Sequence, residues 1–374
     1  MDFSVELHEF PSAVHRCIYS EARGLTPIER SLGGVADPEM RESCAQYHAF
    51  LVDMLSDMYE NADEYALPVM ALEKFLDGKK INGMKQKFPS KTKAILSQTR
   101  NAVGGYVILL YLLGNFGELQ GGVLSVSAEN AAAIKKRVNA PTSPIPLDVR
   151  LKALARVGLE SDGYCFSSAR YPKMFAAMCA LAKKAAKTSG FDYFAFTNAE
   201  FRNIDIKYKP TYIDYFNPLT ARQREHAEIL HNYAIGNKLN CMINTFWKVD
   251  YKYKGTQVMC IGAEGDRERL LDIRVLGAYN WEDHALINNR LAGEPPEFQR
   301  HALRHIWGCD ACSTSHLGRF VTILGKRRRV CGGGLIGFRW RNPDAADLEY
   351  IKRLIDFRCE IIEDIAAAEK NAVK

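Results

Sequence analysis

Histidine and cysteine residues recur at short spacings near the C-terminus of this chain. In sequence order they are His301-x3-His305-x3-Cys309-x2-Cys312-x3-His316, followed by Cys331. A Cys-x-x-Cys pair on a tight turn sets two thiolates at the spacing that one tetrahedral zinc ion requires. A hairpin that folds back would bring Cys331 to this pair. The sequence therefore predicts a structural Cys3His zinc site, made of Cys309, Cys312, His316 and Cys331.

The same stretch allows other interpretations. His301 and His305 are four residues apart, so on a helix they share one face and offer spare ligands. The strongest zinc signatures contain two Cys-x-x-Cys pairs, and this chain has one. The alternative is a pair of turn thiols beside surface histidines. A redox role for Cys309 and Cys312 would require a thioredoxin-like context, which the sequence does not contain.

Basic residues dominate the region from 304 to 341, where Asp310 is the only acid. Arg339 and Arg341 share one strand face, and Arg328 lies in the preceding hairpin. Next to the backbone amides of a glycine run, these arginines predict a site for a phosphate or carboxylate ligand. Basic residues with interleaved aromatics also suit a nucleic-acid backbone. The alternative is a charged hairpin that keeps a strand edge soluble.

A third candidate site is the aromatic strand 247–253. Tyr251 and Tyr253 fall on one face of this strand, together with Val249. That face either lines a pocket for a small ligand on the sheet or packs within the sheet, since aromatic residues favour strands.

Standard catalytic signatures are not found. The sequence has no Gly-x-Ser-x-Gly elbow, no Walker loop, no Gly-x-Gly-x-x-Gly after a strand and no His-Glu-x-x-His. We therefore favour a binding or regulatory protein with a structural zinc knuckle and leave open whether the chain is an enzyme. One alternative is a small-molecule enzyme with its site between the C-terminal sheet and its helices. Another is a nucleic-acid-binding regulator that uses residues 147–205 and the basic hairpin.

The elements that position these residues predict an α+β fold in three parts. Residues 1–139 are expected to form a helical domain, in which Asp37-Pro38 starts a helix. A proline-rich linker then leads to a small helix-rich, winged-helix-like unit at 147–210. Residues 217–370 are expected to form an antiparallel sheet packed by helices, with all strands between 241 and 341 in one sheet.

Composition fits a folded protein with a modest positive charge. The chain has 374 residues, 47% of them hydrophobic, and a net charge of +6, which permits an anionic partner without requiring one. No N-terminal stretch resembles a signal peptide, and the most apolar window, 102–116, is shorter than the about 20 residues that span a membrane. We therefore expect a cytoplasmic protein with free thiols and no membrane contact.

Three stretches of the chain resemble bacterial proteins of unknown function. They are Ala169-Arg-Tyr-Pro172-x-Met174-Phe175, then Val249-Asp-Tyr-Lys-Tyr-Lys-Gly255, and finally Cys309-x-x-Cys312 with Gly325-Lys326, Cys331, Arg341-Asn342-Pro343 and Ile351-Lys352. The resemblance covers about residues 148–358. The resemblance implies a bacterial cytosolic protein with a small α/β C-terminal domain and a cysteine cluster. It does not imply a particular activity.

Overall fold

The computed structural model describes most of the chain. The described residues are 12–69, 90–139, 145–186, 190–205, 209–217, 219–244, 248–264, 270–278, 283–307, 319–330 and 336–372. They divide into two compact units, one with the described residues up to 217 and one with those from 219 onward. The fold is α+β with antiparallel sheets, which confirms the predicted class.

Helices form most of the first unit. They are α1 (Ala13–Gly24), α2 (Ile28–Ser31), α3 (Pro38–Glu60), α4 (Ser90–Phe116), α5 (Ala128–Val138), α6 (Leu147–Ala155), α7 (Met174–Ala185), α8 (Gly190–Thr197), α9 (Arg202–Asp205) and α10 (Tyr212–Phe216). Asp37 caps α3 by accepting hydrogen bonds from the backbone of Glu39 and Met40, and Pro38 is the first helical residue. The predicted start of this helix is confirmed.

Helix α7 packs against both α3 and α4. A single buried core runs from Val14 in α1 to Phe201. Residues 147–210, predicted as a separate unit, therefore share the core of the N-terminal helices, because the apolar face of α7 is buried against them. The boundary between the two compact units lies instead near residue 218, beside the predicted start of the sheet domain at 217.

A small antiparallel sheet interrupts the predicted helical domain. Its strands are β1 (Glu118–Gln120), β2 (Val123–Ser125), β3 (Glu160–Asp162) and β4 (Cys165–Ser167), in the order β1-β2-β4-β3. Three-residue strands are too short to show a period-two pattern, which is why β1, β2 and β3 were not predicted. The apolar stretch 191–196 has aromatic residues that favour a strand, and it is helical in α8 because packing against α7 overrides this preference.

The second unit is a sheet with helices. Its helices are α11 (Ala221–Gly236), α12 (Asp283–Ala292), α13 (Pro296–His305) and α14 (Ala345–Ala372). Its main sheet has the order β5-β6-β7-β8-β12-β9, where β5 is Asn240–Asn244, β6 Lys248–Tyr253, β7 Thr256–Glu264, β8 Leu270–Ala278, β9 Ile306–Trp307 and β12 Ile336–Arg341. Helices α11 and α14 pack on this sheet, as predicted.

The basic hairpin does not join the main sheet. Its strands, β10 (Arg319–Ile323) and β11 (Lys326–Val330), pair with each other as a separate two-stranded sheet. The prediction of one sheet for all strands between 241 and 341 was wrong. The reason is that β12 already pairs with β8 on one side and with β9 on the other, so neither edge of β12 is open to the hairpin.

An arginine is fully buried where α6 meets α4 in the first unit. The Arg150 side chain donates to the carbonyl oxygens of Ile145 at 3.1 Å and Ala102 at 3.3 Å. Its guanidinium carbon lies 4.8 Å from the centre of the Tyr106 ring. The guanidinium fits because Gly105 lacks a side chain: a Cβ there would lie 2.4 Å from Nη1 of Arg150.

Adjacent glycines in α4 make this packing testable. We expect Gly105→Ala to lower the free energy of unfolding by about 1–3 kcal/mol, the usual cost of overpacking, because the buried guanidinium is held by its hydrogen bonds and cannot move aside. Chemical denaturation measures the change. Gly104→Ala is the matched control, since its Cβ would meet no atom within 4 Å, and we expect it to stabilise by up to about 1 kcal/mol. Equal effects of the two substitutions would contradict the close approach.

Candidate metal centre

The four residues of the predicted zinc knuckle lie outside the described residues. These are Cys309, Cys312, His316 and Cys331. Their convergence on one ion stays a prediction. The side chain of Arg328 is not described either, although its backbone pairs with Val321 in the β10–β11 hairpin.

The spare histidines, by contrast, come together with an aspartate. His301 and His305 lie one turn apart on α13, and Asp347 lies in the first turn of α14. One ligand atom from each of the three residues lies within 4.8 Å of the other two. Nε2 of His301 is 3.2 Å and Nε2 of His305 is 3.9 Å from Oδ1 of Asp347. We call these three residues the histidine–aspartate cluster.

Helix α13 is amphipathic and begins with a proline in its first turn. Its buried residues include Phe298 and Ala302, and it packs against β12 and α14. His301 and His305 neighbour these residues at helical spacing, so both imidazoles reach the partner elements. The predicted sharing of one helix face by the two histidines agrees with their ring centres being 4.6 Å apart.

The turn between β12 and α14 places the aspartate. Asn342 adopts a left-handed backbone with φ of 52°, and its amide donates to the carbonyl of Leu271 at 2.7 Å. Gln223 of α11 donates to Oδ1 of Asn342 at 3.0 Å. Nδ1 of the buried His226, also on α11, donates to the carbonyl of Pro343 at 3.0 Å. The start of α14 is therefore anchored on α11 and β8.

A reciprocal cap orients the carboxylate of Asp347. The amide of Asp344 donates to Oδ2 of Asp347 at 3.0 Å, and the amide of Asp347 donates to Oδ1 of Asp344 at 2.9 Å. This is a capping box built from two aspartates. Because Oδ2 is held by the backbone, Oδ1 is the oxygen that faces the histidines.

The tautomer of His305 follows from its backbone contact. Nδ1 lies 3.2 Å from the carbonyl oxygen of Arg339, and a carbonyl can only accept, so Nδ1 carries the proton. The lone pair of the neutral ring is then on Nε2, the atom near Asp347. A backbone carbonyl on the far nitrogen is the usual support for a histidine that binds a metal.

Nε2 of His301 lies close to two groups with opposite hydrogen-bonding requirements. The indole Nε1 of Trp340, which can only donate, lies 3.2 Å from Nε2 of His301. Oδ1 of Asp347, an acceptor when ionised, lies 3.2 Å from the same nitrogen. The Trp340 contact needs a lone pair on Nε2, whereas the Asp347 contact needs a proton. A cation held by Nε2 and Oδ1 would satisfy the Asp347 side of this conflict and would compete with Trp340 for the same lone pair.

Aromatic rings enclose the two imidazoles. Tyr350 stacks on His301 with ring centres 3.9 Å apart, and Trp340 stacks on His305 at 4.7 Å. Burial lowers the pKa of His301, and the charge of His305 lowers it further, while Asp347 opposes both. Burial likewise lowers the pKa of His305. Both rings therefore favour the neutral form, which is the form that coordinates metals.

Two histidines and one carboxylate are a donor set that first-row transition metals accept. Ligand atoms about 2.0–2.2 Å from a tetrahedral zinc ion lie roughly 3.3 Å from each other. The separations of 3.2 and 3.9 Å around Asp347 are close to this spacing. The same set, with open positions, also binds non-haem iron. The three ligand atoms lie within 4.8 Å of one another, and the side chains must draw closer together to hold one divalent ion.

Two of the predicted anion-binding arginines, Arg339 and Arg341, lie on the opposite face of β12 from Trp340. Arg339 forms two hydrogen bonds to the buried Asp272, from Nε at 2.6 Å and from Nη2 at 2.9 Å. Arg274 also contacts Asp272, and its pKa falls to about 10 because of burial and the charges of Arg339 and Arg341. Arg341 is exposed. Arg339 is thus paired with a protein carboxylate, and anion binding by Arg339, Arg341 and Arg328 stays a prediction.

Tyr251 and Tyr253 contact different helices. Tyr251 is fully buried, with its hydroxyl 2.7 Å from Nδ1 of His231 on α11. Tyr253 is half-buried and donates to Oε1 of Glu363 on α14 at 2.6 Å. Both tyrosine hydroxyls therefore meet helices that cover the sheet. A ligand pocket lined by these two residues stays a prediction.

The residue that sequence reasoning missed is Asp347. Its signal was present, since Asn342-Pro343-Asp344 starts a helix and Asp347 follows at the position of a capping partner. Nothing in the spacing links this position to His301, 46 residues earlier. Only the packing of α13 against α14 brings them together.

Comparison with protein-family models, with curated protein sequences and with solved structures finds no match to this chain. The resemblance to bacterial proteins of unknown function stays a prediction. Among the described residues, no helix has the length and hydrophobicity to cross a membrane. We therefore infer a function from the chemistry of the histidine–aspartate cluster.

The buried pair of His231 and Tyr251 gives a prediction about protonation. Burial lowers the pKa of His231 below its ordinary value of 6.5, so the neutral ring is favoured in the fold. Since the unfolded histidine titrates near 6.5, the stability that this residue contributes is complete above that pH and falls as the pH drops below it. We expect the ring resonance of His231 in an NMR titration to have a midpoint below 6.5. His231→Gln assigns the resonance, and a midpoint at or above 6.5 would contradict the burial.

Proposed function

We propose that the second unit is a metal-binding unit that holds one divalent transition-metal ion, zinc foremost. The ligands are Nε2 of His301, Nε2 of His305 and Oδ1 of Asp347. The single observation that carries this proposal is the convergence of these atoms within 4.8 Å of one another. The chain is thereby a binding protein, in the broad class that the sequence favoured.

Support comes from the groups behind each ligand. His305 is oriented by a backbone carbonyl, and Asp347 by the amide of Asp344. Outer hydrogen bonds of this kind fix the ligand atoms before the ion arrives. A histidine–carboxylate ion pair is the competing explanation. It is disfavoured by the N–H of Trp340, which lies 3.2 Å from Nε2 of His301 and needs a lone pair where such an ion pair requires a proton.

A small-molecule enzyme is the second candidate function. Three protein ligands are typical of catalytic zinc, which keeps a fourth position for water or substrate, whereas structural zinc sites are closed by four protein ligands. The described residues supply three ligands. An ion held by these three ligands alone would keep a position for a further ligand.

Replacing one ligand at a time tests the metal centre. Loss of a supporting hydrogen bond already weakens metal binding about 10–100-fold, so we expect each of His301→Ala, His305→Ala and Asp347→Asn to weaken zinc binding by at least about 100-fold. Isothermal titration calorimetry of the full-length apo protein gives the affinities. Elemental analysis after purification without chelators gives the stoichiometry.

The matched control for Asp347→Asn is Glu349→Gln. Glu349 lies two residues further along α14, and its side chain is 77% exposed and pairs with Lys352. We expect this variant to bind zinc as the unchanged protein does. Zinc binding that survives all three ligand substitutions would refute the proposed centre.

The predicted cysteine knuckle is tested separately. If Cys309, Cys312, His316 and Cys331 form a second site, the unchanged protein contains two zinc ions per chain. Cys309→Ser combined with Cys312→Ser should then remove one ion and leave the other. One ion that only the cysteine substitutions remove would place the metal in the knuckle and contradict the histidine–aspartate centre.

A further inference from the structure

The first unit contains a cavity of about 270 Å³ between α5, α6 and the small antiparallel sheet. Its inner end is lined by buried apolar side chains, namely Leu113 of α4, Ile134 of α5 and Phe166 of β4, each at most 6% exposed. Its outer end is lined by exposed residues, among them Lys135 and Tyr164. The cavity is therefore apolar and closed at one end and open to solvent at the other.

Hydrogen bonds hold the walls of this cavity in place. Asn139 ends α5, and its Oδ1 accepts from the amide of Leu147, the first residue of α6, at 2.9 Å. In the turn between β3 and β4, the carbonyl oxygen of Tyr164 accepts from the amide of Val126 at 2.9 Å. Neither contact depends on anything inside the cavity, so the space is formed before a ligand enters, as in most small-molecule sites.

The volume and lining of the cavity define the body of the ligand. An apolar cavity of about 150 Å³ is large enough to bind benzene, so a volume of about 270 Å³ holds roughly ten non-hydrogen atoms. Apart from the ammonium of Lys135 and the hydroxyl of Tyr164, the described lining side chains are apolar. A hydrocarbon chain or ring fits this interior, because its burial removes apolar surface from water.

Lys135 defines the head group. It lies in the last turn of α5, beside Lys136 and Arg137, and none of the described lining residues is acidic. Among the described residues, the ammonium of Lys135 has no carboxylate partner. One ammonium at the edge of an apolar cavity suits a singly charged carboxylate. Phosphate groups are more often held by arginine forks or by several backbone amides.

We propose that this cavity binds a small monocarboxylic acid with an apolar body of about eight to ten carbon atoms. The hydrocarbon part occupies the inner end, and the carboxylate contacts Lys135 at the opening. This is a second binding site, in the first unit. It does not rest on the proposed metal centre, and either site can fail without the other.

Octanoate is a probe of the right size. Isothermal titration calorimetry of the full-length protein gives its affinity. Each buried CH₂ group contributes about a fourfold factor, so we expect butyrate, which is four such groups shorter, to bind at least about 50-fold more weakly. Octanol has the same chain without the charge, and we expect it to bind about tenfold more weakly than octanoate.

Two lysines on the same turn of α5 test the head-group contact. We expect Lys135→Met to weaken octanoate binding about tenfold, since a hydrogen bond to a charged group contributes about that factor. Lys136→Met is the matched control. It removes the same charge one residue further along, from an exposed side chain that does not line the cavity, and should leave the affinity unchanged.

Two alanines on the same helix test the location. Ala132 lines the cavity and is exposed, whereas Ala133 is exposed and does not line it. The ring added by Ala132→Phe should fill the cavity and abolish octanoate binding, and Ala133→Phe should not. Because both positions are exposed, we expect both variants to fold, which thermal unfolding followed by circular dichroism checks.

Each alternative result counts against the proposal. Absence of octanoate binding up to the millimolar range, or undiminished binding in Ala132→Phe, would overturn the site itself. Equal affinities for octanoate and octanol would overturn the carboxylate class. Equal effects of Lys135→Met and Lys136→Met would do the same, because they would reduce the role of Lys135 to the general positive charge of the helix end.

Discussion

The geometry of the candidate metal centre depends on the reciprocal cap between Asp344 and Asp347 at the start of α14. This cap does two things at once. It satisfies two backbone amides that a helix start leaves without partners, and it turns the remaining oxygen of Asp347 toward His301. The contacts of Gln223 and His226 with the preceding turn hold this cap at a fixed place on the sheet. The carboxylate ligand is thereby a product of helix capping and not of a dedicated metal-binding motif.

The parts of the site that are local in the chain were predictable from the sequence. The spacing of His301 and His305 predicted a shared helix face, which the structure has. The helix start at Asp37 was also predicted, because capping is encoded within a few residues. The predicted zinc ligands were chiefly cysteines, because these residues lie close to one another in the sequence. The partner that the structure supplies, Asp347, is distant in sequence, and only the packing of two helices selects it.

The same difference between local and long-range contacts explains where the predicted fold departs from the structure. Strands β1 and β2 are too short to show a pattern, and they are strands because β4 pairs with β2. The division after residue 139 followed a proline-rich stretch, yet α7 shares its core with α3 and α4. The hairpin of β10 and β11 was predicted. Whether it joins the main sheet depends on the other strands and not on its own residues. Pairing partners are long-range choices that depend on which strand edges remain open.

Strand β12 links the candidate site to the arginines that the sequence predicted as an anion site. Alternate residues of this strand face opposite ways. The side chain of Arg339 pairs with the buried Asp272 on one face, while its carbonyl oxygen accepts from His305 at the strand edge. Trp340 faces the other way and donates to His301.

The ion pair between Arg339 and Asp272 thus fixes the backbone on which His305 is oriented. Two hydrogen bonds to a carboxylate that is 2% exposed hold the strand more firmly than a surface pair would, because breaking one partner leaves an uncompensated buried charge. Arg339 thus pairs through its side chain with the buried Asp272 and contacts His305 through its backbone carbonyl.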